Sequence, residues 1–184
     1  MNPLPAAKYD YFELHYYPQL AGSENDTYLL TQAPEGLARI LATVQQELVA
    51  AGHPDTPIFL GEYNSVNTSP GKQTISIVNA LYAGMVQGEI MKAGVFRSVI
   101  HDAGGSGCNI AGNNSSALYG WQTFGSYDLF PFTISLSSCP SAINLAPNTP
   151  FPTARSFALS EQFGTAGSYM LGTTVSSAMP NVRA

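Results

Sequence analysis

Three short apolar runs alternate with two longer stretches of helical periodicity, and this alternation limits the fold more than any other feature of the chain. Residues 11–17 read YFELHYY, an aromatic-rich strand pattern closed by Pro18. In residues 36–51, Leu37, Ile40, Leu41, Val44 and Leu48 recur at helical spacing and Gly52 ends the stretch, so it reads as an amphipathic helix. Residues 57–60 form a second apolar run with the polar tip GEYNS. Residues 72–93 carry Ile75, Val78, Leu81, Tyr82, Met85, Val86 and Ile90 in a second helical pattern that stops at Gly94. Residues 96–100 make the third run, followed by HDAGG. Short apolar strands alternating with helices predict a parallel sheet in an α/β fold. Such folds place their sites at the carboxyl ends of the strands, where this chain carries its polar tips.

Beyond residue 103 the character changes. Residues 104–152 are rich in Gly, Asn, Ser and Pro, with Trp121, Phe124, Tyr127, Phe130 and Phe132 interspersed. A stretch this long without periodicity is unusual in a compact domain, and it reads as a packed, aromatic-bearing segment over the active face. Residues 133–136 suit a short strand, residues 153–163 a last helix, and the tail from residue 164 is polar and β-like.

Only 10% of the residues are charged, against roughly 25% in ordinary soluble domains. The surface is therefore largely neutral and polar, which suits enzymes acting on neutral polymers. The net charge is −5, and the seven Lys and Arg residues never cluster, so no nucleic-acid partner is expected. No apolar run reaches the length of about 18 residues needed for a membrane span. Residues 1–8 lack the apolar core of a signal peptide. Cys108 and Cys139 lie outside any metal-ligand spacing; in an exported protein they suit one disulfide tying down the long loop. No metal and no cofactor are expected. Asn25, Asn67, Asn113 and Asn114 stand in glycosylation sequons.

The chemistry-bearing candidates sit at the strand tips. Glu62 follows the apolar run, and an acid at the end of a buried strand is costly unless it is paired or functional. Gly61 before it permits close approach of chain or ligand. Tyr63 and Asn64 follow directly and are placed to hold it. In the first strand, alternation puts Tyr11, Glu13, His15 and Tyr17 on one side; His15 and Tyr17 are candidates for binding substrate or touching Glu62, and Glu13 reads as a structural carboxylate. His101 and Asp102 close the third strand, either as substrate contacts or as caps of the following turn. Trp121 is the only tryptophan, either a sugar-stacking platform or an anchor for the long loop. No phosphate-binding, dinucleotide-binding, zinc-protease or serine-hydrolase motif is present.

The segments ELHYYPQ at 13–19 and PIFLGEYNS at 57–65, with the long helix after PGKQT, carry a resemblance. The chain resembles the C-terminal portion of a clan A retaining glycoside hydrolase, cellulase-like or α-L-arabinofuranosidase-like. The resemblance implies a partial (β/α)8 TIM barrel, strands six to eight plus a long loop-rich C-terminal segment. Residues 1–163 would be the C-terminal part of that barrel, and residues 164–184 a tail leading into a truncated β-rich accessory region. It implies Glu62 as the nucleophile at the end of strand seven. His15, Tyr17, Tyr63, Asn64, His101 and Trp121 would form the substrate-binding set, with a carbohydrate as partner. Strand eight of such enzymes often ends in tryptophan, whereas this chain has SVIHD at 98–102. Their acid/base is a Glu in an Asn-Glu pair, and this sequence contains no such pair. The expectation is therefore a fragment missing the N-terminal half of the barrel and inactive alone, with an extracellular or periplasmic parent. The alternative is a non-catalytic carbohydrate-binding or structural protein.

Overall fold

The computed structural model describes residues 9–131, 145–162 and 167. Among them, β1 (Phe12–Tyr16), β2 (Ile58–Tyr63) and β3 (Arg97–Ile100) form one parallel sheet in the order β1-β2-β3. Helices α1 (Asp26–Thr31) and α2 (Ala33–Ala50) lead from β1 to β2. A 3-10 turn at Lys72–Ile75 and helix α3 (Ile77–Lys92) lead from β2 to β3, and α4 (Pro152–Ser160) comes last. The expected strand at residues 133–136, Phe132, Cys139, Phe163 and nearly all of the tail from 164 lie outside the described residues.

Parallel neighbours need a crossover, and crossovers of one hand advancing in one direction put their helices on one face. Helices α2 and α3 accordingly pack on each other and on the same side of the sheet. That core joins Tyr16, Ile58, Leu60 and Tyr63 to Leu37, Leu41 and Leu48 of α2 and to Val78, Tyr82, Val86 and Ile90 of α3. Helix α4 lies along α3, and its Ser156 fills the space beside Gly84, where an added Cβ would come 3.0 Å from Oγ. With neighbours on several sides, α3 is apolar around most of its circumference.

Local chemistry sets the helix ends. Asn25 caps α1 by accepting the Tyr28 N–H at 2.8 Å, and Ser76 caps α3 by accepting the Val78 N–H at 3.2 Å. Gly52 (φ 83°) and Gly94 (φ 66°) turn left-handed just past α2 and α3. The next residues then reach back, His53 N–H to Leu48 O at 2.8 Å and Val95 N–H to Ile90 O at 3.2 Å, closing two Schellman ends.

The expected partial (β/α)8 barrel is overturned. Among the described residues the chain is an α/β fold with a small open sheet, and not the portion of a barrel comprising strands six to eight. Every strand of a barrel pairs on both sides, whereas among the described residues β1 and β3 each pair with β2 alone. Strand–helix alternation is shared by open sheets and barrels, so it predicts the crossover without deciding closure.

The segment after β3 lies over the loops that follow β1 and β2. Backbone packs on backbone where Gly71, Gly112 and Gly125 meet: an added Cβ would lie 2.1 Å from Asn113 O at Gly71, 2.2 Å from Pro70 O at Gly112 and 2.2 Å from Gly71 O at Gly125. Beneath them Ile75, Phe124 and Phe151 form a second small core, with Cys108 and Leu145 against it. Cys108 is disulfide-bonded, and Cys139 is the only other cysteine of the chain.

Main-chain atoms cannot swing aside, but the end of a side chain can. Gly61 makes a useful contrast, because an added Cβ there would meet the Glu13 side chain, with Oε1 at 1.9 Å. Gly125→Ala is expected to cost several kcal/mol, at or above the roughly 1–3 kcal/mol of ordinary overpacking. Gly61→Ala is expected to cost clearly less. Urea midpoints followed by far-ultraviolet circular dichroism test the order, and equal midpoints for the two variants contradict it.

Candidate active site

The site begins with an irregularity in β2. Phe12, Glu13 and Leu14 pair with Ile58, Phe59 and Leu60, but His15 pairs with Glu62, so Gly61 is an extra residue in the middle strand. Side chains alternate along a strand, and one inserted residue inverts the phase of all that follow. Ile58 and Leu60 enter the helix-side core; beyond Gly61 it is Tyr63 that enters it, while Glu62 faces the open side with His15. Gly61 has a second role there, because the Glu13 carboxylate lies against its Cα.

Glu62 is held from β1. The Tyr17 hydroxyl donates to Oε2 at 2.7 Å, and His15 Nδ1 lies 3.6 Å from the same oxygen. The other ring nitrogen of His15, Nε2, is 3.4 Å from Glu13 Oε1, so the imidazole stands between two carboxylates. Glu62 keeps 43% of its side chain exposed, within reach of a ligand. The second oxygen, Oε1, has no hydrogen-bond partner among the described residues.

His101 closes the group from β3. Its Nδ1 is 3.2 Å from the Tyr17 hydroxyl oxygen, and its Nε2 is 3.7 Å from Asp102 Oδ2, which also accepts the Ser106 hydroxyl. The His101–Asp102 peptide is cis. The ring packs on Tyr127 at a centroid distance of 4.9 Å, and the Tyr127 hydroxyl donates to Val66 O at 3.0 Å. Burial raises the Tyr17 phenol well above its ordinary range, and the adjacent Glu62 carboxylate raises it further. Burial likewise pushes Tyr127 up to about 12, with help from the carboxylates of Glu24, Asp102 and Glu62.

A layer of buried amides supports the strand tips. Asn64 Nδ2 donates to the His101 carbonyl, while Asn64 Oδ1 accepts the Ser65 N–H at 2.8 Å and Asn79 Nδ2 at 3.3 Å. Gln19 Nε2 donates to Ser65 O at 3.0 Å and to Gln73 Oε1 at 2.7 Å, and its Oε1 accepts the Asn25 N–H at 2.7 Å. Gln73 Nε2 donates to Asp26 Oδ1 at 2.7 Å, and Asp26 Oδ2 accepts the Tyr119 N–H at 2.7 Å. Buried Lys72 donates from Nζ to Gly120 O at 2.9 Å. The turn displaying Tyr119 and Trp121 is thus tied to the β1 and β2 loops.

The structure therefore gathers Glu62, His15, Tyr17 and His101 into one cluster. Tyr63 is instead a core residue, and Asn64 is buried in the supporting layer. Trp121, with 81% exposure, stands on the pinned turn, and no ring contact or hydrogen bond joins it to the cluster among the described residues. Sequence reading gave Tyr127 and Gln19 no role. The Tyr127 ring meets His101, 26 residues away, and Gln19 Nε2 reaches Ser65 and Gln73, 46 and 54 residues away, and no local pattern signals such contacts. Among the described residues, no group of three or more His, Cys, Asp or Glu is placed to hold a metal ion, and no helix is long and apolar enough to cross a membrane. No protein-family model matches the chain, and no curated protein matches it.

Tyr16 is also raised by burial, to about 12, and burial raises Tyr63 and Tyr82. In the unfolded chain a phenol titrates near about 10. Below that pH both states hold the proton and stability is unaffected; above it the unfolded chain releases protons that the folded chain retains. Stability is expected to hold up to a pH of about 10 and to fall as pH rises toward about 12. Urea midpoints across that range test this, and a flat profile contradicts it.

Proposed function

We propose that this chain carries the nucleophile of a retaining glycoside hydrolase, with Glu62 as the attacking carboxylate. The observation that carries the reading is the asymmetric hold on Glu62: Tyr17 occupies Oε2 at 2.7 Å, and Oε1 is without a partner among the described residues. The grip on Oε2 fixes the direction of a carboxylate that keeps 43% of its side chain exposed. Here one oxygen is anchored and the other is left for an incoming electrophile.

In the proposed reaction Oε1 attacks the anomeric carbon, the bond to the leaving oxygen breaks, and a glycosyl ester forms on Glu62. Water then cleaves the ester and restores the carboxylate. Such enzymes use a second carboxyl, about 5–5.5 Å from the first, to protonate the leaving oxygen and then to activate the water. In the enzymes the chain resembles that carboxyl belongs to an Asn-Glu pair, and the sequence contains none. The pure chain is therefore expected to be inactive on glycosides whose leaving group must be protonated. The weakly charged surface suits a neutral carbohydrate, and the disulfide at Cys108 supports export to an oxidising compartment.

Nucleophilic attack alone can be tested with reagents that need no acid. Activated dinitrophenyl fluoroglycosides of the common pentoses and hexoses lose dinitrophenolate unaided, and the fluorine slows release of the ester. One fluoroglycosyl group is expected on the peptide containing Glu62, and Glu62→Gln is expected to abolish it. Absence of label with every glycone, or label on another carboxylate, overturns the reading.

Trp121 favours a second reading, a carbohydrate-binding protein without catalysis. An indole with 81% exposure on a turn fixed through Lys72 and Asp26 suits stacking on a sugar ring. Under that reading Trp121→Ala loses retention on insoluble polysaccharide, whereas Glu62→Gln leaves retention unchanged and wild type takes no label.

A further inference from the structure

Tyr17 has one hydroxyl proton and two neighbours able to receive it. Glu62 Oε2, at 2.7 Å, can only accept, whereas His101 Nδ1, at 3.2 Å, accepts or donates according to where the ring carries its proton. The shorter contact is charge-assisted and takes the proton. Tyr17 also stays protonated far into the alkaline range, since burial and the Glu62 carboxylate both oppose its ionisation. The Tyr17 oxygen therefore meets His101 with lone pairs only.

We propose that His101 is a positioning residue for Glu62: it carries a proton on Nδ1, donates it to the Tyr17 oxygen, and so commits the Tyr17 proton to Oε2 of Glu62. The inference rests on the reading of Glu62 as nucleophile, because its consequence is that Oε1 is the attacking oxygen.

The setting of His101 is built for a fixed ring. Its N–H donates to Tyr63 O at 3.1 Å, and its carbonyl accepts Asn64 Nδ2. The Tyr127 ring covers one side, and the Asp102 N–H is tied to Tyr127 O at 3.3 Å. The titratable groups facing His101 are Tyr17 at Nδ1, Asp102 at Nε2 and Tyr127 on the ring, with Glu62 one hydrogen bond beyond. Tyr17 is within hydrogen-bond distance of Nδ1, whereas Asp102 Oδ2 is 3.7 Å from Nε2, beyond that distance, and accepts the Ser106 hydroxyl, so in the neutral ring the Tyr17 contact selects the tautomer. A free neutral histidine prefers its proton on Nε2; the proposal requires the opposite.

The test reads ring-nitrogen chemical shifts of isotope-labelled histidine by NMR, at a pH where the ring is neutral, with His101 assigned from the signal missing in His101→Asn. Wild type is expected to show Nδ1 protonated and Nε2 bare, and Tyr17→Phe to return the proton to Nε2. A wild-type His101 protonated on Nε2 overturns the proposal. A second readout is the rate of fluoroglycoside labelling at Glu62. His101→Leu is expected to slow it on the order of tenfold, about one hydrogen bond. His101→Asn keeps an N–H at the Nδ1 position and is expected to retain most of the rate; a leucine variant as fast as wild type also overturns the proposal. A wild type with the Nδ1 proton but no labelling separates the two readings: His101 then orders the hydrogen bonds as stated, and Glu62 is not a nucleophile.

Discussion

Side chains on a strand alternate between two faces, and β2 breaks that alternation once, at Gly61. Without the extra residue, the phase set by Ile58 and Leu60 would carry Glu62 into the apolar core under α2 and α3. A carboxylate buried there without partners costs several kcal/mol or takes up a proton. The bulge exchanges the destinations of two neighbours: the Tyr63 ring fills the core position, and Glu62 is turned toward His15 and Tyr17. The same residue must lack a side chain, because the Glu13 carboxylate occupies the space a Cβ would need. One glycine thus sets both the direction of Glu62 and the seat of the acid beyond His15.

Apolar packing secures the helix side of the sheet, but the carboxyl ends of the strands are secured differently. There the chain leaves regular structure, and its backbone groups need partners wherever water is excluded. Gln19, Asn64, Gln73 and Asn79, all buried, supply them and link the loops after β1, β2 and β3 into one network. A connected network of this kind is directional, and it fixes positions more sharply than hydrophobic contact does. The His101 backbone and the turn bearing Trp121 both hang from it, by Asn64 in the first case and through Gln73 and Asp26 in the second.

Periodicity made the strands and the two long helices legible, because burial of one face imposes the spacing of Leu37, Leu41 and Leu48 or of Val78, Tyr82 and Val86. The boundaries moved where side-chain capping decides them: the apolar spacing runs on from residue 72, but Ser76 starts α3 four residues later. Closure of the sheet was not legible, since no residue pattern in a strand announces whether its outer edge will be paired. Among the site residues, Glu62, His15 and Tyr17 stand on strand tips whose register brings them together, so tip position and polarity sufficed to nominate them. Tyr63 and Asn64 follow at the same tip but are buried, because a bulge and a buried amide network depend on partners far away in sequence. Tyr127 and Gln19 carry no local mark at all.

Trp121, the only tryptophan of the chain, is 81% exposed while its backbone is anchored through its neighbour Gly120 to Lys72. Its indole is already in water in the folded protein. Intrinsic tryptophan fluorescence is therefore a poor gauge of unfolding here and a good gauge of occupancy: denaturation barely changes the polarity around the ring, whereas anything laid against it does. The anchoring confines the source of such a signal to the surface of one turn.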